Sequence, residues 1–138
     1  MPSMARKEKP FQLDLLFRAL ADRTRLRLLN LIADKEICVC YFVEILRISQ
    51  PKISRHLAYL RRAGIVAARR EGRWMHYRLL APRDAVASAI LKETLSHLRQ
   101  SPDMRGDLAK LETRCCNPDS PVRSRQAPQP SIVSLAAR

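Results

Sequence analysis

The sequence predicts a small, mainly α-helical (α+β) domain with one β-hairpin set between its helices. Three observations carry that prediction. Apolar residues recur at helical spacing over most of residues 11–100, the period switches to alternation between residues 65 and 79, and cap or turn residues stand at the junctions. At 138 residues and 46% apolar, the chain can build one real core and is too short for two ordinary domains.

The elements follow in order. FQLDLLFRAL (11–20) gathers Phe11 and Leu15, with Leu16 and Leu20, along one side of a helix. Asp22 is a natural N-cap for a second helix, RTRLRLLNLIA, in which Leu26, Leu29 and Ile32 recur at helical spacing. A short third helix is expected over 40–47, with Phe42, Ile45 and Leu46 apolar. Ser49 then caps a fourth helix that carries Pro51 in its first turn and stops at Gly64. Its Ile53, Leu57 and Leu60 must face a core, because they recur at i, i+4 and i+7. Lys52, Arg55, Tyr59 and Arg62 fall on the opposite face, with Gln50 and Ser54 on one flank. IVAARR (65–70) and RWMHYRL (73–79) read as two strands around the turn Glu71-Gly72, with Arg69, Arg70 and Arg73 at the tip.

Pro82 and Asp84 open a last long helix to about Gln100. Its stripe of Ala87, Leu91, Leu95 and Leu98 is broad enough to predict helix-to-helix dimerisation, with close approach at Ala87. Residues 107–114 predict a helical turn or two. From Asn117 onward the prolines and serines predict a disordered tail. The organisation expected is an N-terminal arm (1–10), a folded domain (11–100), and a C-terminal extension (101–138) holding a cysteine pair and the Pro-rich tail.

Charge narrows the function. The chain carries a net +13, which points to a polyanionic partner. Residues 1–46 account for +2 and residues 81–138 for +3, whereas residues 47–80 carry nine basic side chains against the single Glu71. The imbalance is therefore a local surface, centred on the capped helix and the hairpin. No apolar run approaches the ~18–20 residues that span a bilayer, and no apolar stretch follows the basic MPSMARKEKP, so a cytoplasmic location is expected. No Ser/His/Asp set, phosphate loop or carboxylate pair points to catalysis.

Helix, short helix, capped basic helix and basic hairpin together describe a winged helix-turn-helix with a two-stranded wing. In that arrangement Gln50, Ser54 and Arg55 would meet base edges in a major groove, and Lys52 and Arg62 would meet phosphates. Arg69, Arg70 and Arg73 would reach a neighbouring minor groove or backbone. The partner expected is double-stranded DNA.

SQPKISRHLAYLRRAGIVAARREGRWMHYRL (49–79) closely resembles the recognition helix and wing of ArsR/SmtB-type repressors, in particular their arsenic-responsive branch. ALADRTRLRLLNLI and EICVCYFVEIL resemble that branch too. The resemblance covers about residues 11–100. It implies a homodimeric repressor, dimerised through residues 11–20 and 84–100, that leaves its operator when a thiophilic ion binds.

Cys38 and Cys40, and Cys115 and Cys116, form two tight pairs, a spacing that fits metal or redox chemistry better than a disulfide framework. By residue type alone, Cys38 and Cys40 read equally well as small buried apolar residues. The family resemblance makes them ligands for trivalent arsenic or antimony, or another thiophilic ion. On one continuous helix, residues two apart point about 200° away from each other, so joint capture of an ion is expected to require local unwinding. Some relatives carry a third cysteine where this chain has Val43; a third sulfur could come from Cys115, Cys116 or an external thiol, or be absent. Cys115-Cys116 could also form a site of its own. Glu93 and His97, at i, i+4, read as a surface pair, and His56 as a packing residue or phosphate contact. The alternative functions are a repressor triggered by thiol oxidation and, from another class, a small thiol metal carrier or redox protein.

Overall fold

A computed structural model describes residues 11–116 and 128–132 of the chain, the side chains of Cys115, Cys116 and Ile132 excepted. Six helices and four strands follow in the order α1 (Leu13–Leu20), α2 (Arg23–Ile32), β1 (Lys35–Cys38), α3 (Val39–Leu46), α4 (Gln50–Arg62), β2 (Val66–Glu71), β3 (Trp74–Leu79), α5 (Ala85–Leu98), α6 (Pro102–Cys116) and β4 (Ser131–Ile132). The winged helix-turn-helix is present: α3 and α4 form the helix pair, and β2 and β3 the hairpin wing.

The helix ends follow local chemistry. Asp22 accepts from the Arg25 amide at 3.0 Å, and Asp84 accepts from the Ala87 amide at 2.9 Å. Ser49 occupies the N-cap of α4 as expected, but its hydroxyl makes no capping bond. Gly64 ends α4 with φ +82°, and the amides of Gly64 and Ile65 return to the carbonyls of Arg61 and Leu60 at 2.9 and 3.2 Å. That is a Schellman stop, which needs the left-handed conformation glycine takes without penalty. The wing turns one residue later than the sequence predicts: its two-residue loop is Gly72-Arg73, with Gly72 at φ +59°.

One core joins Leu16 and Ala19 of α1, Leu28, Leu29, Leu31 and Ile32 of α2, Phe42 and Ile45 of α3, Ile53, Leu57 and Leu60 of α4, and the inward residues of the wing. The buried face of α4 is the one its spacing predicts. Its basic face is thereby held outward.

Four expectations fail, each because tertiary partners outweigh local pattern. Residues 35–38 form a strand, β1, which pairs antiparallel with β3 (Ile37 with Tyr77, Cys38 with His76). The two-stranded wing thus continues into a sheet of order β2-β3-β1-β4. Within the sequence predicted as a disordered tail, Ser131–Ile132 is that fourth strand, pairing with Lys35 and Glu36. The α5 stripe of Ala87, Leu91, Leu95 and Leu98 is buried inside the protomer, so it is not a free dimer face. Among the described residues, the large apolar side chains left exposed are Leu13 and Phe17 on α1 and Val86 on α5. Finally, the turn or two expected over 107–114 is the fifteen-residue α6.

Helix α6 completes the core. Met104 and Leu111 are buried in it. Asp107, only 3% exposed, receives two hydrogen bonds from Arg27 at 2.8 and 3.0 Å, and Asp103 pairs with Arg23 at 2.6 Å. A third bond, from Asn30 Nδ2 to the Met104 carbonyl at 2.9 Å, adds to these two pairs in holding α6 on α2.

Candidate nucleic-acid interface and thiol site

The exposed face of α4 presents Gln50, Lys52, Arg55 and Arg62, with Ser54 and Tyr59 half-buried. The Tyr59 ring is held by cations: the Arg25 guanidinium carbon stands 4.3 Å from its centroid and that of Arg62 5.5 Å. Arg25 was not singled out by the sequence, yet it is the most heavily engaged side chain near α4. Its Nε donates to Ala19 O at 2.8 Å, its Nη2 to Arg18 O at 2.9 Å, and its Nη1 lies 3.3 Å from His56 Nδ1. Both carbonyls lie in the last turn of α1, where that of Arg18 also accepts from the Ala21 amide at 3.2 Å, so Arg25 fastens α1 and α2 to α4. His56 is accordingly a packing residue at this junction.

At the wing, Arg70 and Arg73 are exposed, and Arg73 stacks over Trp74 at 4.6 Å. Arg69 is different. Its Nε and Nη2 donate to Glu36 Oε1 at 3.1 and 2.5 Å, and its Nη1 lies 3.6 Å from Glu71 Oε2. The Arg69 hydrogen bond holds the Glu36 carboxyl below the usual carboxylate range, against the opposing effect of burial. Glu36 is another residue the sequence did not mark, because the strand that carries it was not foreseen.

The first cysteine pair is assembled by the junction of β1 and α3. Cys38 is the last residue of β1 and the N-cap of α3, in extended conformation (φ −68°, ψ 142°), whereas Cys40 lies in the first helical turn. The two therefore do not share a helix, and the 200° separation expected on one does not arise. Their Sγ atoms stand 3.0 Å apart in a hydrogen bond. Cys38 is 1% exposed and Cys40 partly exposed, so the pair opens to solvent on the Cys40 side.

The bond between the sulfurs splits their acidities. The hydrogen bond from Cys40, with help from nearby amides and against burial, lowers Cys38 to about 7 from an ordinary 9.0. Cys40 is pushed up, first by donating that bond and then by burial. The pair thus gives up one proton near neutrality and keeps the other. It is a thiolate–thiol couple, the form that binds soft ions and reacts with oxidants. Two sulfurs bound tetrahedrally at about 2.3 Å to one ion stand about 3.8 Å apart, so capture needs an opening of less than about 1 Å.

Cys115 and Cys116 are the last residues of α6, and their side chains lie outside the described residues. Arg114, one position earlier, pairs with Glu44 of α3 at 3.5 Å. Val43, where some relatives carry a cysteine, packs half-buried against the core. Among the described residues, no group of three or more His, Cys, Asp and Glu side chains is poised to hold a metal.

A basic helix docked by its apolar face, followed by a basic hairpin, defines a winged-helix DNA-binding protein. Residues 22–68 match the family model "Bacterial regulatory protein, arsR family". The chain is 45% identical over 111 residues to the arsenic resistance transcriptional regulator ArsR1 of Pseudomonas putida, covering 78% of this chain and 84% of that protein. It is 48% identical over 79 residues to the arsenical resistance operon repressor of Escherichia coli, covering 56% of this chain and 68% of that protein. Among solved structures it resembles HlyU of Vibrio cholerae (32% identity, TM-score 0.54, covering 64% of this chain and 92% of that one). It also resembles the antimony-specific repressor AntR (26% identity, TM-score 0.51, covering 72% and 93%). The chain belongs to the ArsR family: it is a DNA-binding transcriptional repressor, not an enzyme.

Proposed function

We propose that the protein represses its operator as a cytoplasmic homodimer and releases it when trivalent arsenic or antimony binds Cys38 and Cys40. The observation that carries this reading is the 3.0 Å Sγ–Sγ contact at the β1–α3 junction, with one sulfur inclined to be thiolate near neutrality. Relatives named for arsenic resistance, and a neighbour named as an antimony-specific repressor, support the metalloid as the ion. The geometry changes the mechanism that helix spacing predicts. No helix has to unwind, because an opening of the pair by less than about 1 Å suffices. The site joins α3, which packs on α4, to β1, which pairs with the wing strand β3, so a small opening biases both DNA-contacting elements.

A third sulfur from Cys115 or Cys116 is favoured by the Arg114–Glu44 ion pair. That pair fastens the last turn of α6 to α3 one turn along from Cys40. Homodimerisation rests on Leu13, Phe17 and Val86, the large apolar side chains exposed on α1 and α5. On the operator, Gln50, Ser54 and Arg55 read base edges, and Lys52, Arg62, Arg70 and Arg73 meet phosphates.

The same thiol contact favours one second reading, release by oxidation. The Cys38 thiolate would attack one oxygen of hydrogen peroxide, breaking the O–O bond to give a sulfenic acid and hydroxide. The Cys40 sulfur would then displace the sulfenic hydroxide, which takes the Cys40 proton and leaves as water, closing the disulfide. Titration of the operator complex with arsenite and, separately, with peroxide distinguishes the two: release by peroxide alone overturns the metalloid reading.

A further inference from the structure

The sequence assigns Arg69 to the DNA, but two of its three nitrogens already bind a carboxylate inside the protein. Nε and Nη2 bind the Glu36 carboxylate, and Nη1 faces Glu71. Glu36 itself is 9% exposed and lies on β1, while Arg69 lies on β2. The pair therefore reaches across β3. The register shows what lies between: Arg69 is opposite His76, and His76 is opposite Cys38, so the three form one row across β2, β3 and β1. Opposed residues of an antiparallel sheet share a face. Glu36, two positions before Cys38, shares it as well. His76 is 4% exposed within this row, and its Nε2 lies 3.2 Å from Glu71 Oε1.

We infer that Arg69 is not a phosphate contact but a strut, and that the Glu36–Arg69 ion pair is the positioning link that fixes the wing to the strand bearing Cys38. Three observations support this. Two edges of the guanidinium, Nε and Nη2, bind the same Glu36 oxygen, so transfer of that grip to a phosphate would leave the nearly buried Glu36 carboxylate without its cation. The strut begins two residues from the thiol pair on the same sheet face. All three wing arginines are exposed, but the contact with the β1 carboxylate is Arg69's, and Arg73 stacks on Trp74 at the wing tip. When the thiol pair opens on an ion, β1 shifts, and Glu36 carries the shift to the wing tip. This second step rests on the proposed function; the assignment of Arg69 as a strut does not.

Operator binding by the full-length protein, followed by fluorescence anisotropy across a salt series, decides the strut. Arg70→Gln and Arg73→Gln each flatten the salt dependence by about one unit of slope per protomer, as lost phosphate contacts do. Arg69→Gln leaves the slope within error of wild type. A loss of about one unit in Arg69→Gln makes it a phosphate contact and overturns the inference.

Arsenite titration decides the coupling. Glu36→Gln, Arg69→Gln and the double variant bind arsenite like wild type, read by thiolate–arsenic ultraviolet absorption. Each loses most of the arsenite-induced drop in operator affinity, and the double variant loses no more than either single one. Full release in Glu36→Gln overturns the coupling. Wild-type protein that arsenite never releases overturns the proposed function and the coupling together, while the salt series still decides the strut.

Discussion

The Sγ atoms of Cys38 and Cys40 stand 3.0 Å apart because the chain changes conformation between them, from the extended N-cap at Cys38 to the first turn of α3 at Cys40. A strand-to-helix junction brings side chains two positions apart to one side, where a continuous helix would separate them. The site is thus built into the boundary of β1 and α3.

One proton near neutrality is the chemical signature of that contact. In a Cys115→Ser/Cys116→Ser background, one equivalent of iodoacetamide reacts rapidly, with a rate that rises through about pH 7 as the Cys38-centred thiolate forms. The sign follows from the lowered value: the reactive anion is lost as pH falls below 7, two units earlier than for a thiol at the ordinary 9.0. Two thiols titrating together near 9 would contradict the shared-proton pair.

Arg25 is expected to carry more stability than any other cation beside α4. Arg25→Ala removes two charge-assisted bonds to α1 carbonyls and the stack on Tyr59, for a loss of about 2–3 kcal/mol. Arg25→Lys recovers little of it, because an ammonium cannot reach both carbonyls and the ring together. Urea unfolding midpoints measure both.

Helix α6 is predicted to be indispensable up to its last turn. Asp107→Ala strands the half-buried Arg27 and costs about 2 kcal/mol in urea unfolding. A chain ending at residue 101 also loses the burial of Met104 and Leu111, about 2 kcal/mol each, and is expected to unfold at room temperature. A chain ending at residue 114 keeps these contacts and a cooperative transition.

On the proposed interface, α4 is expected to separate reading from holding. Gln50→Ala and Ser54→Ala are expected to cost about 1–3 kcal/mol of discrimination between operator and a scrambled duplex. Lys52→Ala weakens both duplexes alike and flattens the salt dependence by about one unit of slope per protomer. Competition anisotropy at two salt concentrations distinguishes the two behaviours.

Much of this was legible in the sequence because it is local. Ile53, Leu57 and Leu60 announce the buried face of α4, and therefore the exposed face of Lys52 and Arg55. Asp22, Asp84 and Gly64 announce their helix ends. What escaped is whatever depends on a distant partner. Four residues, KEIC, carry too little alternation to announce a strand, and β1 exists because the free edge of β3 receives it. Missing β1 hid the role of Glu36 and put Cys38 on a helix. The α5 stripe is apolar for either a dimer or a core, and periodicity cannot distinguish them; inside the protomer it is the core. Helix α6 was under-read because half of what holds it is paired charge with α2, not an apolar stripe.

The central claim is that Cys38 and Cys40 together are the switch. The most direct measurement is arsenite titration of the fluorescent operator complex with wild type, Cys38→Ser, Cys40→Ser and Cys115→Ser/Cys116→Ser. Both single variants should bind operator within about threefold of wild type and resist arsenite throughout, while wild type is released. The Cys115→Ser/Cys116→Ser variant should still be released, at a higher arsenite concentration if α6 supplies the third sulfur. Normal release of Cys38→Ser and Cys40→Ser would contradict the claim and move the switch to the end of α6.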